Sequence, residues 1–501
     1  MKGEAVAEEE LEGIARHGRE RPDAPALILG EEVRTFGHLD DRTNRLAHVL
    51  RDRGAEPGTT VAVVLPNGFE FFETALATSR LGVGFLHVNW HLKVEELTWI
   101  LGDSAASVVV TDEAHADLVR GAAGAAASVL VAGTEYESEL ERHRGAVVLP
   151  SAPSWSPVFY TSGTTGRPKG VIQGPFTPAR AGASQDGQRR LWSWEPDDVY
   201  IVSGPAYHAG PGGWAMTAFY VGATTVILPT WDAREWLRLV ERHRVTRSFM
   251  VPAHFIRILE VPEAERGARH LSSLRLIVHG AAPCPVDVKR RIMEALAPAQ
   301  IWELYGMSEG GATRISPEEW LRKPGSVGTP WPGVEVRILD EHGVEQKPGV
   351  DGLIYVLPPG GARFRYHGDP DKTAAAWRDE GFTVGDVGHL DEDGYLYVTD
   401  RAADMVIRGG VNIYPREVED ALHRHPAVVD CAVFGVPDAR HGEHLVAVVE
   451  TRQPLSADAL MDHCRSILAD FKCPEQMEVV DTLPRDPAGK VLKRRLKEQY
   501  A

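Results

Sequence analysis

The chain has 501 residues, of which 43% are apolar, 25% charged and 8% aromatic, the balance of a folded globular protein. At roughly 150 residues per domain, that length predicts about three domains or subdomains. Asp and Glu number 71 against 54 Lys and Arg, a net charge of −17, so neither a nucleic-acid backbone nor an anionic membrane surface is the expected main partner.

The first dozen residues are acidic and lack the apolar core of a secretion signal, and no stretch approaches the ~18 apolar residues of a membrane span. The expectation is a cytoplasmic chain without integral membrane association. A short apolar run at 60–66 ends at Asn67-Gly68, residues 70–81 follow with helical spacing, and 82–88 reads as a second strand. Short buried runs recur at 107–111, 129–132, 199–203, 224–228, 247–251 and 275–279. Strands alternating with helices predict mostly parallel sheets covered by helices. Past about Lys323, glycine-rich turns separate shorter strands at 334–339, 352–356, 395–399 and 404–407. From Asp400, a helix at 415–424, strands at 430–436 and 445–449, and a helix at 457–469 predict a compact α+β unit. Cys284, Cys431, Cys464 and Cys473 show no Cys-x-x-Cys spacing and read as reduced, buried thiols.

The segment Tyr160-Thr-Ser-Gly-Thr-Thr-Gly-Arg-Pro-Lys-Gly-Val171 concentrates the chemistry. Glycines at 163 and 166 let backbone N–H groups approach an anion, Thr161, Ser162, Thr164 and Thr165 add hydroxyls, and Lys169 supplies countercharge. It is not a Gly-x-x-x-x-Gly-Lys-Ser/Thr loop, because Gly166 is followed by Arg-Pro and Lys169 by glycine. By composition alone it is a flexible Ser/Thr/Gly loop. The full string, however, resembles the signature of the adenylate-forming superfamily, which includes acyl-CoA synthetases, luciferases and peptide-synthetase adenylation domains. Further motifs in the expected order extend that resemblance over nearly the whole chain.

The resemblance implies roles for particular residues. Pro205-Ala-Tyr-His-Ala-Gly210 is similar to the segment whose histidine, here His208, borders the carboxylate, with Tyr207 and Trp214 beside it in the acyl pocket. Gly280, Ala281, Ala282 and Pro283 resemble the stretch lying against adenine. Trp302-Glu-Leu-Tyr-Gly-Met-Ser-Glu309 resembles the motif in which Tyr305 stacks on adenine, with Gly306 and Met307 beside it. Ser308 there bonds the α-phosphate and Glu309 holds Mg²⁺, a task for which one carboxylate plus phosphate oxygens suffices. In Phe382-Thr-Val-Gly-Asp386 the aspartate accepts the ribose hydroxyls, and Val384 stands where the family carries threonine. Asp400 matches the hinge, Arg401 a second ribose contact, and Arg408, Gly409 and Gly410 the coenzyme A tunnel. Lys490, in Leu483-Pro-Arg-Asp-Pro-Ala-Gly-Lys490, matches the adenylation lysine, while Lys493, Arg494, Arg495 and Lys497 read as a solvated helix face.

The implied fold is α/β: a large multi-subdomain N-terminal domain (1–399) with mostly parallel sheets, and a small mobile α+β C-terminal domain (400–501). The implied reaction activates a small-molecule carboxylic acid with ATP and Mg²⁺ to acyl-AMP, then transfers the acyl group to coenzyme A. Lys169, His208, Glu309 and Lys490 are the catalytic candidates. Similarity favours bulky apolar acids, and the lack of any Lys or Arg between Val199 and Val221 fits a neutral pocket. Other classes stay open: one half-reaction only, loading of a carrier-protein thiol, luciferase-type oxidation, nucleotide binding without catalysis, and a homodimer as the assembly.

Overall fold

The computed structural model describes residues 12–124, 127–149, 156–161, 168–173, 178–401, 404–408, 411–438, 442–487 and 489–501. Among these residues the strands form four sheets. The Val- and Ala-rich strands Thr60–Val64, Gly84–His87, Ala106–Thr111 and Ser128–Val131 pair in parallel, with Ser156–Thr161 parallel to Gly84–His87. Helices such as Phe69–Leu81 and Val94–Asp103 cross between them. Strands apolar along their whole length belong between two helical layers, since both faces are covered. A nine-stranded sheet repeats this plan with Val199–Val202, Thr224–Ile227, Arg247–Met250, Leu276–His279 and Gln300–Met307 as its parallel centre.

A six-stranded sheet built from residues 335–401 is antiparallel throughout. The last sheet has five strands, packed by the helices Pro415–His423, Ala457–Ile467 and Lys493–Tyr500. The molecule is therefore α/β, with a large N-terminal domain of mostly parallel sheets and a smaller α+β C-terminal domain. Pairing passes from one domain to the other over a few residues. Arg401 still pairs with Asp386, whereas Val406 pairs with Ile413 of the C-terminal sheet.

Several expectations shift at their edges. The strand expected over 82–88 shortens to Gly84–His87, because Gly82, at φ +64°, ends the preceding helix in the left-handed region. The helix expected to Ala469 stops at Ile467, and an unforeseen strand, Gln476–Val480, runs parallel to Gly442–Thr451. All four cysteines are free and buried. Lys493 corrects the reading of a solvated basic face: its ammonium sits 2.7 Å from a Glu419 carboxylate oxygen. The cause is Leu496, 3% exposed, which packs the helix Lys493–Tyr500 into an apolar cluster with Ala432 and Phe434 and turns Lys493 inward. Arg494 stays outside, paired with Glu498 along the same helix at 3.0 Å.

Burial also fixes the protonation of several histidines. His254 stacks on Trp231 at 3.9 Å between ring centroids, and burial pushes its pKa down to about 3. The unfolded chain, with an ordinary value near 6.5, binds a proton there that the folded chain refuses, so stability falls as the pH drops between those values. Between about pH 7.5 and about pH 5.5 the protein should lose roughly 1.4 kcal/mol more than His254→Asn does. Urea denaturation at both pH values measures this, and equal losses contradict it.

Candidate active site

The glycine-rich segment is flanked by two strands that pair with each other. Ser156–Thr161 and Lys169–Gln173 are antiparallel, with Thr161 opposite Lys169. Ser162, Gly163, Thr164, Thr165 and Gly166 lie outside the described residues, as do Gly409 and Gly410. The Gln173 side-chain amide donates to the Ser308 carbonyl at 2.8 Å, tying this hairpin to the one that carries Glu309.

Around Lys169 the structure gathers charge. Its ammonium lies 4.6 Å from the centroid of the Tyr366 ring, and the Tyr366 hydroxyl donates to Glu309 at 2.8 Å. Burial, and then the neighbouring Lys372 ammonium, lower the Lys169 pKa to about 8, while Glu309 and Asp369 act in the opposite sense. Two ammonium groups side by side repel unless an anion joins them, so this corner is built for negative charge. Tyr366 and Lys372 were not singled out from the sequence. Lys372 is an ordinary-looking lysine in Asp371-Lys-Thr373, and its significance depends on a strand 200 residues away.

A second group forms where Asp386 ends its turn. Tyr305 donates its hydroxyl to one carboxylate oxygen at 2.7 Å, and Arg401 donates to the other at 3.1 Å. Each oxygen keeps a further lone pair for a ligand hydroxyl. Burial and the adjacent Asp386 push the Tyr305 pKa far up, so the phenol stays a donor. The departure at Val384 has a structural answer. Thr383 supplies the hydroxyl of the turn by accepting from the Gly385 N–H at 3.1 Å, while Val384 packs against the apolar cluster beneath. Gly280 lies flat against the strand Gln300–Met307, where a Cβ would meet the Leu304 carbonyl oxygen at 2.7 Å. Ala281 next to it adopts φ +66°, a left-handed turn that carries the chain through Ala282 to Pro283.

The third group brings the C-terminal domain onto the N-terminal one. His208 precedes the helix Ala209–Val221, and its ring is 4.6 Å from that of Tyr207. His208 and Lys490 both reach solvent, yet protein surrounds them on most sides, as in a cleft. Desolvation lowers the pKa of each; Asp486 opposes it at both, and Lys490 adds to the effect on His208. Arg401 in turn lowers Lys490, so the group around Asp386 and the C-terminal loop share one electrostatic environment. The loop bearing Lys490 closes on itself: its N–H donates to Asp486 at 2.9 Å, and the Asp486 N–H donates back to the Lys490 carbonyl at 2.8 Å. Gly489, at φ +84°, meets helix Pro252–Glu260 so closely that a Cβ would lie 3.0 Å from that of Ala253.

Two expected residues lie apart from the cleft groups. Trp214 is 7% exposed, packed among Trp192, Trp194 and Phe249 with ring centroids 5.3–5.9 Å away. Arg408 is held within the C-terminal domain, paired with Glu475 at 2.5 Å and donating to the Phe471 carbonyl at 3.1 Å. Asp400 accepts from the Arg416 N–H at 3.1 Å, which secures the start of the helix Pro415–His423. Burial raises its pKa, and Lys493 opposes that rise.

Comparison with known proteins bears on this geometry. The sequence model described as "AMP-binding enzyme" matches residues 14–364, and "AMP-binding enzyme C-terminal domain" matches 417–490. A feruloyl-CoA synthase of Amycolatopsis is 35% identical, the match covering 97% of this chain and 98% of that protein. The fatty acid–[acyl-carrier-protein] ligase ScoC of Streptomyces coeruleorubidus is 31% identical, over 97% and 95%. The structure of ATP-bound MatB from Rhodopseudomonas palustris superimposes with a TM-score of 0.85 at 31% identity, over 97% of this chain and 99% of that one. The chain belongs to the AMP-binding, adenylate-forming enzyme superfamily, and it is an AMP-forming acid–thiol ligase that uses ATP.

Proposed function

We propose that this chain converts a carboxylic acid with a bulky apolar body into its coenzyme A thioester, in two half-reactions at the cleft described above. The observation that carries the reading is Lys490, which the C-terminal loop places in one environment with His208 and Arg401. In the first step a carboxylate oxygen attacks the α-phosphorus of ATP and pyrophosphate leaves. Lys490 neutralises charge where carboxylate and α-phosphate meet, and His208 borders the carboxylate. Lys169 and Lys372 face the departing phosphates, Ser308 bonds the α-phosphate, and Asp386, Tyr305 and Arg401 hold the ribose and adenine. The small residues Gly280 and Ala281 lie beside the adenine, on the turn that follows the strand Leu276–His279. Preorganised charges of this kind are the main source of rate in phosphoryl transfer.

Among the described residues no group of three or more His, Cys, Asp or Glu side chains converges. A Mg²⁺ ion would take Glu309 together with nucleotide phosphate oxygens, in keeping with its preference for one or two carboxylates and substrate oxygens. The ion supplies countercharge to the phosphates, while Tyr366 orients the carboxylate that would hold it.

In the second step the thiol sulfur attacks the acyl carbon, its proton is released and AMP leaves. The lid, residues 400–501, turns about Asp400 to bring Arg408, Gly409 and Gly410 towards the cleft. The change of sheet partner between Arg401 and Val406 supports a pivot there. ScoC, named for transfer to an acyl-carrier protein, makes a carrier thiol the second reading.

Pyrophosphate release should require both ATP and an acid, and thioester formation should require a thiol. Apolar aryl or alkyl acids should outperform amino acids, since the helix beside His208 offers no ionised partner. Adding either coenzyme A or a phosphopantetheinylated carrier decides the acceptor, and acid-independent pyrophosphate release overturns the reading. Asp386→Asn should raise the KM for ATP by about 10–100-fold, the loss of a charged hydrogen-bond acceptor costing about 1.5–3 kcal/mol. The KM for the acid should hardly move. A selective rise in the acid's KM would place Asp386 elsewhere.

A further inference from the structure

Asn67-Gly68 follows a strand in the sequence, where such a pair ordinarily serves as a local turn signal. In the structure the Asn67 side chain works over a long range instead. Among the described residues its hydrogen bonds reach 137 to 161 positions along the chain. The side-chain amide nitrogen donates to the Gly204 carbonyl at 3.0 Å and to the Leu228 carbonyl at 3.1 Å. The side-chain oxygen accepts from the Ala206 N–H at 2.7 Å. These partners fix which way the amide points, because carbonyls only accept and a backbone N–H only donates. Both amide hydrogens are thereby used.

The three bonds join two sheets at the ends that carry the site. Asn67 follows the strand Thr60–Val64 of the seven-stranded sheet. Gly204 and Leu228 follow the neighbouring parallel strands Val199–Val202 and Thr224–Ile227 of the nine-stranded sheet. Loops at the carboxyl ends of parallel strands are where α/β sheets bind their ligands. The loop held by Asn67 leads straight into His208. The His208 N–H donates to the Pro205 carbonyl at 3.1 Å, and its carbonyl accepts from the Gly212 N–H of the following helix at 3.1 Å. His87, buried on the strand beside Thr60–Val64, lies against the Ala206 backbone as well. The turn that presents His208 is therefore held in place from the other sheet.

We propose, resting on the acid-activating function above in which His208 borders the reacting carboxylate, that Asn67 is a positioning residue for adenylation. By clamping Gly204 and Ala206 it sets where the His208 imidazole meets that carboxylate. Asparagine suits the task because one short side chain offers two donors and an acceptor. Aspartate would keep the bond from Ala206 but turn lone pairs towards two carbonyls, and alanine would release all three groups. A misplacement of about 1 Å near reacting atoms costs on the order of 10²-fold in rate. The loss falls on the acid, because Asp386, Tyr305 and Arg401, which hold the nucleotide in the proposed reaction, stand on other elements.

The test is a double-mutant cycle of Asn67→Ala and His208→Ala, assayed by pyrophosphate release with ATP and an apolar aryl or alkyl monocarboxylate varied separately. Asn67→Ala should lower kcat/KM for the acid by about 10–100-fold and leave the KM for ATP within about twofold of wild type. On the His208→Ala background the same change should cost less than about threefold, because residues acting as one unit are not additive. Full additivity, or an equal rise in both KM values, makes Asn67 a scaffold bond and overturns the proposal. If Asn67→Ala does not fold, Asn67→Asp carries the cycle, and failure of both to fold assigns Asn67 to stability alone and likewise overturns it. A substrate-free arm follows the histidine-labelled protein by NMR, the His208 imidazole being the signal that His208→Ala lacks. That signal should move in the Asn67 variant, and an unmoved signal contradicts the clamp. If no acid releases pyrophosphate, or His208→Ala leaves the acid's kinetics untouched, the acid-activating reading fails instead, and the NMR arm still judges Asn67.

Discussion

Arg485 is the fixed point from which the active arrangement hangs. Its guanidinium reaches Asp430 at 2.8 Å and Glu450 at 3.2 Å, both nearly buried, and it also donates to the Gly489 carbonyl at 3.1 Å. Burial alone would raise the Asp430 carboxyl, but His423 and Arg485 hold it below its ordinary range. Removing one partner of such a buried pair typically costs about 3–5 kcal/mol, because the other charge is left uncompensated. That cost keeps the 485–491 turn in one shape, so Lys490 leaves the C-terminal domain in a defined direction. Arg257 of the helix Pro252–Glu260 approaches the other oxygen of Glu450 at 3.6 Å, and Val429 joins an apolar cluster of the large domain. The same carboxylate thereby shapes the Lys490 turn and registers one domain against the other.

The distribution of charge follows from this. A chain of net charge −17 concentrates Lys169, Lys372, Lys490 and Arg401 around one cleft. Each is partly desolvated or beside another cation, a costly arrangement that negative ligands relieve. Carboxylates stand among these cations, and two of them, Glu309 and Asp386, are steered by tyrosine hydroxyls, Tyr366 and Tyr305. In the proposed reaction these cations face phosphates, and the two carboxylates face hydroxyls or a metal ion.

Much of this is legible in the sequence because it is local. Strand runs and the small residues after His279 depend on neighbours a few positions away. What the sequence hides is pairing across sheets. Tyr305 and Asp386 read as separate motifs, yet one hydrogen bond joins them over 81 positions. Tyr366 and Lys372 carry no sequence signal of their own, because their partner Lys169 lies on another hairpin. Lys493 sits in a basic run that resembles any solvated helix, and Glu419 claims it only once Leu496 has packed.

The central claim is that the loop anchored by Arg485 delivers Lys490 to the bond-forming atoms of adenylation alone. The direct measurement is Lys490→Ala, assayed on ATP plus acid and, separately, on synthetic acyl-AMP plus coenzyme A. The first rate should fall by about 10²–10³, as for loss of one preorganised contact to transition-state charge, and the second should stay near wild type. Equal impairment of both half-reactions would contradict the account.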